Sequence, residues 1–285
     1  MGYQDDLKKH LADYKRLCLG IDEPGVFQYR GRDVPQDHIL PLAEASRNLL
    51  EEAQPILKKY GSKLALHKYF HHLNSSQAFA FNLFFPYFDG TAEAASALLR
   101  ALGCPGTLAI WELEQVPDPL EESNIDVVWR TTDGAQTFCE VKLSEAEFGK
   151  AADDLRHRTK FSNIYHQKLA PHLQANRLEM QAFLDAYQFN RNVWHMVHDD
   201  RSRLIFLLPR ANAGLWASLK ELLSGVVAGT REHISAVAIE DVIATLSTDK
   251  RCPGTLRAYA RKLEQKYLIQ SPPRFTSQGR DGESR

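Results

Sequence analysis

Residues 124–143 read NIDVVWRTTDGAQTFCEVKL, and residues 108–116 ahead of them read LAIWELEQV. The pieces LAIWELEQV, NIDVVWRT and QTFCEVKL are short, rich in β-branched and aromatic residues, and separated by Pro117, Pro119 and Asp133-Gly134. That pattern predicts three successive strands. Residues two apart on a strand project from one face, so Glu140 and Lys142 emerge together while Cys139, Val141 and Leu143 point into the other layer. Whether Asp126 joins them depends on the hairpin. A two-residue loop at Asp133-Gly134 sets Asp126 opposite Val141, on the wrong face, whereas a three-residue loop, Thr132-Asp133-Gly134, pairs Thr131 with Ala135 and Asp126 with Glu140. Gly134 then takes the left-handed position of a G1 bulge, for which glycine is favoured.

Two carboxylates side by side on a sheet repel each other unless a cation lies between them, and an oxygen-only donor set suits Mg²⁺ or Mn²⁺. The expected metal ligands are Asp126, Glu140 and the backbone carbonyl of Val141, with Lys142 placed to orient a water or to stabilise charge on a phosphoryl group.

Upstream, residues 4–63 read as mostly helical, with Leu42, Ala45, Leu49, Ala53 and Ile56 at helical spacing and Pro24, Gly25, Gly31 and Pro35 marking a loop between two halves. The apolar run SSQAFAFNLFFPYF predicts a buried helix capped by Ser75 or Ser76 and stopping near Pro86, and a second helix from Thr91 to Leu102 ends at Gly103. Phe79, Phe81, Phe84, Phe85 and Phe88 of the apolar run read as core, although such rings can also stack on bases.

Downstream, Ser144 to Glu147 has the spacing of a capping box, which predicts a helix directly after the third strand. A long amphipathic helix over about residues 177–198, a buried strand at RLIFLLP, a helix near 215–227, a sheet segment HISAVAIE and a helical end to about Ile269 complete the pattern. The simplest partition is an N-terminal helical elaboration at 1–63, an α/β domain at 64–270 and a disordered Pro- and Gly-rich tail at 271–285.

Composition narrows the function classes only partly. The chain has 285 residues with 44% hydrophobic content, enough for a proper core, so general disorder is excluded. With 35 Lys and Arg against 36 Asp and Glu, any polyanion site must be a local patch. Cys18, Cys104, Cys139 and Cys252 lack CxxC spacing, arguing against a zinc ribbon and for a reduced, cytoplasmic setting; no segment reads as a signal peptide or membrane span.

Asp126 followed by Glu140-Val141-Lys142 resembles the catalytic signature of the PD-(D/E)xK phosphodiesterases. The wider pattern is similar to a bacterial group of restriction endonucleases in that superfamily, from Asn74-Ser75-Ser76-Gln77 through Glu114 and Phe148-Gly149 to Gln188-Phe189-Asn190-Arg191, covering roughly residues 65 to 210. The proline expected before the aspartate is absent, Asn124-Ile125 standing in its place. The resemblance implies a restriction-endonuclease-like αβββαβ core with a central mixed sheet flanked by helices. It also implies cleavage of DNA phosphodiester bonds to leave a 5′-phosphate, in restriction, defence or repair. It adds Glu114 to the catalytic set, with Glu112 as rival, and places Gln188 and Arg191 near the scissile phosphate. A homodimer would supply the second site that two-strand cutting needs.

Several readings stay open on the residues alone. Arg156, Arg158 and Lys160 form either the phosphate-contacting rim of a DNA cleft or a solvated surface. Gln188 and Arg191 either act at the substrate or fix their helix on the sheet. His67, His71, His72, His195 and His198 raise a zinc reading, although no metal signature is complete. The alternative to an enzyme is a non-catalytic nucleic-acid-binding module that retains the fold.

Overall fold

The computed structural model describes residues 2–61 and 64–269, so the proposed tail at 271–285 lies outside the described residues. Helix α1, Tyr3–Leu19, buries Leu7 and Leu11 four residues apart and ends at Gly20, whose φ of 65° supplies the left-handed cap. The expected loop after it is instead a hairpin of β1, Gly25–Tyr29, and β2, Arg32–Gln36, with Tyr29 paired to Arg32. Arg30 and Gly31 turn it with φ of 49° and 75°, the geometry of a two-residue hairpin loop.

The helix expected across Leu42 to Ile56 is also broken, into a 3₁₀ turn at Leu42–Asn48 and α2 at Gln54–Tyr60. The cause lies at Asn48, fully buried, whose side-chain nitrogen donates to the carbonyls of Phe70 and His72, and at Leu50, whose N–H donates to Asn82 Oδ1. Tertiary hydrogen bonds take the groups that a continuing helix would have used.

Helix α3, Ser76–Phe88, starts where Ser75 accepts from the Ala78 N–H. Every residue from Ala78 to Phe88 is buried, as befits a helix apolar on all sides. It runs past Pro86 rather than stopping there. The Asn82 carbonyl, which the missing Pro86 N–H would have satisfied, accepts instead from the Tyr259 hydroxyl at 2.6 Å. Helix α4, Ala92–Ala101, is capped by Thr91.

The three predicted strands come next: β3 (Leu108–Gln115), β4 (Ile125–Thr131) and β5 (Gln136–Val141), joined antiparallel. No helix opens directly after β5. Glu145 turns its carboxylate back onto the Leu143 and Ser144 N–H groups and takes the Ser76 hydroxyl, so Ser144 to Glu147 bend away from the strand instead of capping a helix. Helix α5, Leu155–Lys160, starts at Asp154 and passes through a π-helical turn, Phe161–Tyr165, into α6, His166–Leu169. The expected long helix over 177–198 is divided into a 3₁₀ turn at Ala175–Leu178, α7 at Met180–Asp185 and α8 at Tyr187–Met196. Ala186 (φ −118°, ψ 26°) breaks it where Asn190 reaches back to the Phe183 carbonyl.

The chain ends in β6 (Arg203–Leu208), α9 (Ala213–Ser224), α10 (Ala228–Arg231), β7 (Ile234–Ala238), α11 (Ile239–Thr248) and α12 (Gly254–Tyr267). The sheet order is β3-β4-β5-β6-β7, with β6 parallel to β5 and β7 parallel to β6. This is a mixed α/β fold. One face of the sheet, including Val127, Trp129, Cys139 and Leu207, packs into a core with α3, α4, α11 and α12; Leu7 and Leu11 of α1 belong to that core. The other face, including Val128, Phe138 and Phe206, packs against Phe148, Phe189 and Val193. Among the described residues no helix is long and apolar enough to cross a membrane, and all four cysteines are free thiols.

Candidate active site

The β4–β5 register decides the site. Val127 pairs with Cys139 and Arg130 with Gln136, so the same register carried outward sets Asp126 across from Glu140. At the inner end the Thr131 N–H donates to Ala135 O and the Gly134 N–H to Thr131 O, each at 2.9 Å, and Gly134 has a φ of 85°. The three-residue loop expected from the turn sequence is the one that forms.

On the other side of β4, Leu113 pairs with Val127 and Gln115 with Ile125, which leaves Glu114 opposite Asp126. Three acidic residues on three neighbouring strands therefore form a row. Glu114 has a φ of 51°, a strained backbone for a residue with a side chain, and its carboxylate accepts from Gln77 Nε2 at 2.9 Å and Asn124 Nδ2 at 3.3 Å. Its rival Glu112 is exposed, opposite Val128.

Glu140 is buried to 2% exposure and fully engaged. Its Oε1 accepts from Gln188 Nε2 at 2.6 Å and lies 2.9 Å from Lys142 Nζ; its Oε2 accepts from Asn192 Nδ2 at 2.9 Å. Burial alone would raise the Glu140 carboxyl, but the charges of Lys142 and Arg191 outweigh it and hold the group below its ordinary range. Lys142 is raised above the usual lysine value: burial opposes this, and the carboxylates of Glu140, Glu145 and Asp126 overcome it. Asp126 goes the other way. Burial first, then the Glu140 charge, push its carboxyl well above the aspartate range, even though its Oδ2 accepts from the Val141 N–H at 2.7 Å.

These groups line a cavity of about 440 Å³ together with His67, Tyr69, Asn74 and Gln77. Among the described residues no three or more His, Cys, Asp or Glu side chains are grouped to hold a metal ion. The donors Asp126 and Glu140 nonetheless fit an oxygen-preferring cation, because an ion between them would offset both the burial and the Glu140 charge that raise the Asp126 carboxyl.

The remaining candidates are distributed unevenly. Gln188, on α8, bridges the site: its Oε1 accepts from Lys142 Nζ at 2.9 Å and from the Gly149 N–H at 3.0 Å. Arg191 reaches the Asn124 carbonyl at 3.2 Å, next to Asp126. On α5, exposed Arg156 lies 3.5 Å from Glu122 and Arg158 pairs with Asp153, whereas Lys160 is turned inward onto Glu121. His195 is buried, its Nε2 3.4 Å from Glu121 Oε2, and the His198 ring packs on Trp194.

Three contributors carry no motif. Asn192 stands one helical turn beyond Gln188, so i, i+4 spacing could have revealed it. Glu145 fixes the end of β5 to the start of α3. Glu121, in the loop between β3 and β4, is wholly buried and accepts from the hydroxyls of Tyr165 and Ser123. Nothing in an acidic loop sequence marks such a residue. It holds the loop whose two ends carry Glu114 and Asp126.

A family model described as "Restriction Endonuclease associating with ARP" matches residues 8–268, from within α1 to the end of α12. The chain belongs to that family. REase-ARP membership implies a nuclease role with DNA as substrate, and the matched span contains the whole sheet and every residue of the site above. No curated protein and no solved structure matches the chain.

Proposed function

We propose that this REase-ARP chain is a Mg²⁺- or Mn²⁺-dependent DNA endonuclease of the PD-(D/E)xK type with a restriction-endonuclease-like αβββαβ core. The observation that carries the reading is the placement of Asp126 directly across from Glu140, with Lys142 two residues on and 2.9 Å from the Glu140 carboxylate. Asp126, Glu140 and the Val141 carbonyl are the groups that would hold the ion. A bound divalent ion would supply Lewis-acid polarisation of a phosphoryl oxygen and acidify a water.

The protein's own residues do the rest. Lys142, held between Glu140 and Gln188, presents an ammonium group that donates to the attacking water and to the phosphate as negative charge builds. Gln188 and Asn192 fix the Glu140 carboxylate from the helix side, so it meets the substrate in one orientation. Glu114, held by Gln77 and Asn124, adds a third acidic group at the rim. Exposed Arg156 and Arg158 are the proposed phosphate contacts along the cleft.

The test is incubation of the purified chain with supercoiled and linear DNA and Mg²⁺ or Mn²⁺, alongside Lys142→Ala. Metal-dependent cleavage that the substitution abolishes is the expected result. Intact DNA with both metals, or cleavage unchanged in the variant, overturns it.

A further inference from the structure

Three rings, those of His67, Tyr69 and His72, line the same cavity as the carboxylates. His67 and Tyr69 line the cavity, with centroids 5.3 Å apart and edge to face, and Tyr69 stacks on His72 at 4.7 Å. Phe27 of β1 packs 5.5 Å from Tyr69, and Tyr29 lies 6.2 Å beyond it near the hairpin tip. A chain of ring contacts therefore runs from the cavity that holds the acidic residues to the end of the β1–β2 hairpin.

Cations accompany it. Lys68 Nζ lies 4.6 Å from the Tyr69 ring centroid and Arg30 5.2 Å from that of Tyr29. Lys68, Arg30 and Arg32 are all exposed, and none of them forms an ion pair among the described residues. Arg30 occupies a left-handed turn position better suited to glycine or asparagine, which places a cation at the hairpin tip.

The wall is also fixed in place. Ile39 bridges His72, the Gly25 N–H donates to Ile39 O at 2.9 Å, and the Leu40 N–H donates to His71 O at 3.1 Å. A Cβ at position 25 would lie 2.4 Å from Leu40 O, so the hairpin base can approach that closely only as glycine. Beneath the rings, buried His72 Nε2 and Asn74 Oδ1 lack hydrogen-bond partners among the described residues. Both residues line the cavity.

Rings with interleaved unpaired cations bind single-stranded nucleic acid, because every base has a face to stack and the cations follow the backbone. A continuous duplex keeps its base faces covered and gains little from such a wall. Resting on the nuclease reading, we propose that His67, Tyr69 and the β1–β2 hairpin form a stacking subsite for an unpaired nucleotide beside the scissile phosphate. The substrate is then DNA with single-stranded character, such as an overhang or flap, rather than an uninterrupted duplex.

The experiment is fluorescence anisotropy in EDTA with a duplex bearing a short single-stranded overhang, of either polarity, and the matched blunt duplex. A second probe carries 2-aminopurine in the overhang. Without divalent ion the measurement reads binding only, so its failure is separate from a failure to cleave plasmid. The overhang should bind on the order of tenfold tighter than the blunt end, with quenching of the aminopurine. Tyr69→Leu should remove both the preference and the quenching while leaving blunt-end binding in place, and Tyr69→Trp should keep them. His67→Ala, at an exposed position, gives the same reading should Tyr69→Leu fold poorly. Equal binding of the two ends by the wild type overturns the proposal, as does undiminished quenching in a folded variant.

Discussion

Gln188 and Glu140 are joined by a 2.6 Å hydrogen bond from amide to carboxylate, while the same Gln188 accepts from the Lys142 ammonium at 2.9 Å. One helix residue thereby sets both the acid and the base of the Glu-x-Lys pair. Removing such a support lowers catalysis without removing a reacting group. Gln188→Ala should reduce kcat by roughly 10- to 100-fold with little change in KM. Steady-state cleavage of a labelled duplex decides it; a change confined to KM would assign Gln188 to substrate binding instead.

Lys142→Ala should have two separable consequences. Loss of a donor to developing charge lowers kcat on the order of 10²–10³-fold. It also leaves the buried Glu140 without its nearest counter-charge, a loss of roughly 3–5 kcal/mol when one member of a buried pair is removed. Denaturant melts with and without Glu140→Gln in the same background separate the two, since the second substitution should restore stability and not activity.

Mg²⁺ should stabilise the folded chain. At about 100 times its Kd a ligand contributes about 2.7 kcal/mol, so a Tm rise of several degrees is expected. Because burial and Glu140 hold the Asp126 carboxyl above the aspartate range, the ion competes there with a proton, and the gain should grow as pH rises above the ordinary aspartate value. Asp126→Asn should abolish it. A thermal shift that is unchanged in that variant would place the ion elsewhere.

Glu121 offers a pH test away from the acidic row. Burial would raise its carboxyl, but His195, Ser123 and Tyr165 together lower it to about 2. A depressed carboxyl adds stability that is present above the ordinary glutamate value and lost as pH falls toward about 2. Glu121→Gln should therefore cost roughly 1–3 kcal/mol at neutral pH, a difference that narrows as acid is added. Urea unfolding at stepped pH measures it; a constant difference would mean that charge plays no part.

Glu114→Gly should trade activity for stability. The left-handed backbone there, with φ at 51°, penalises any side chain by about 1 kcal/mol, which glycine relieves. Glu114→Ala should lose the same activity without that gain. Equal melting temperatures for the two variants would show that the backbone conformation carries no strain.

The strands and the β4–β5 register were legible because both rest on local chemistry: β-branched alternation, and a glycine placed where a three-residue turn needs one. Ser75 and Thr91 capped the helices that their positions foretold. What sequence periodicity missed was decided by contacts distant along the chain. The helix through Leu49 breaks because buried Asn48 and Asn82 bind across 22 to 34 residues. The capping box after β5 fails because Glu145 is spent on the strand end and on Ser76. Glu121 looks like solvent-facing acid until three separate elements close over it. The β1–β2 hairpin was hidden by Pro24 and Pro35, although Arg30-Gly31 is compatible with a turn.

The Glu145 clamp also frees the chain beyond it. Because its carboxylate ties the end of β5 to the first turn of α3, the ammonium group of Lys142 keeps its stance by anchorage upstream. The segment from Ala146 to Asp154 is held by anchors of its own, with Phe148 in the core, the Gly149 N–H on Gln188 and the Ala151 N–H on the Leu184 carbonyl, so the position of Lys142 does not depend on it alone.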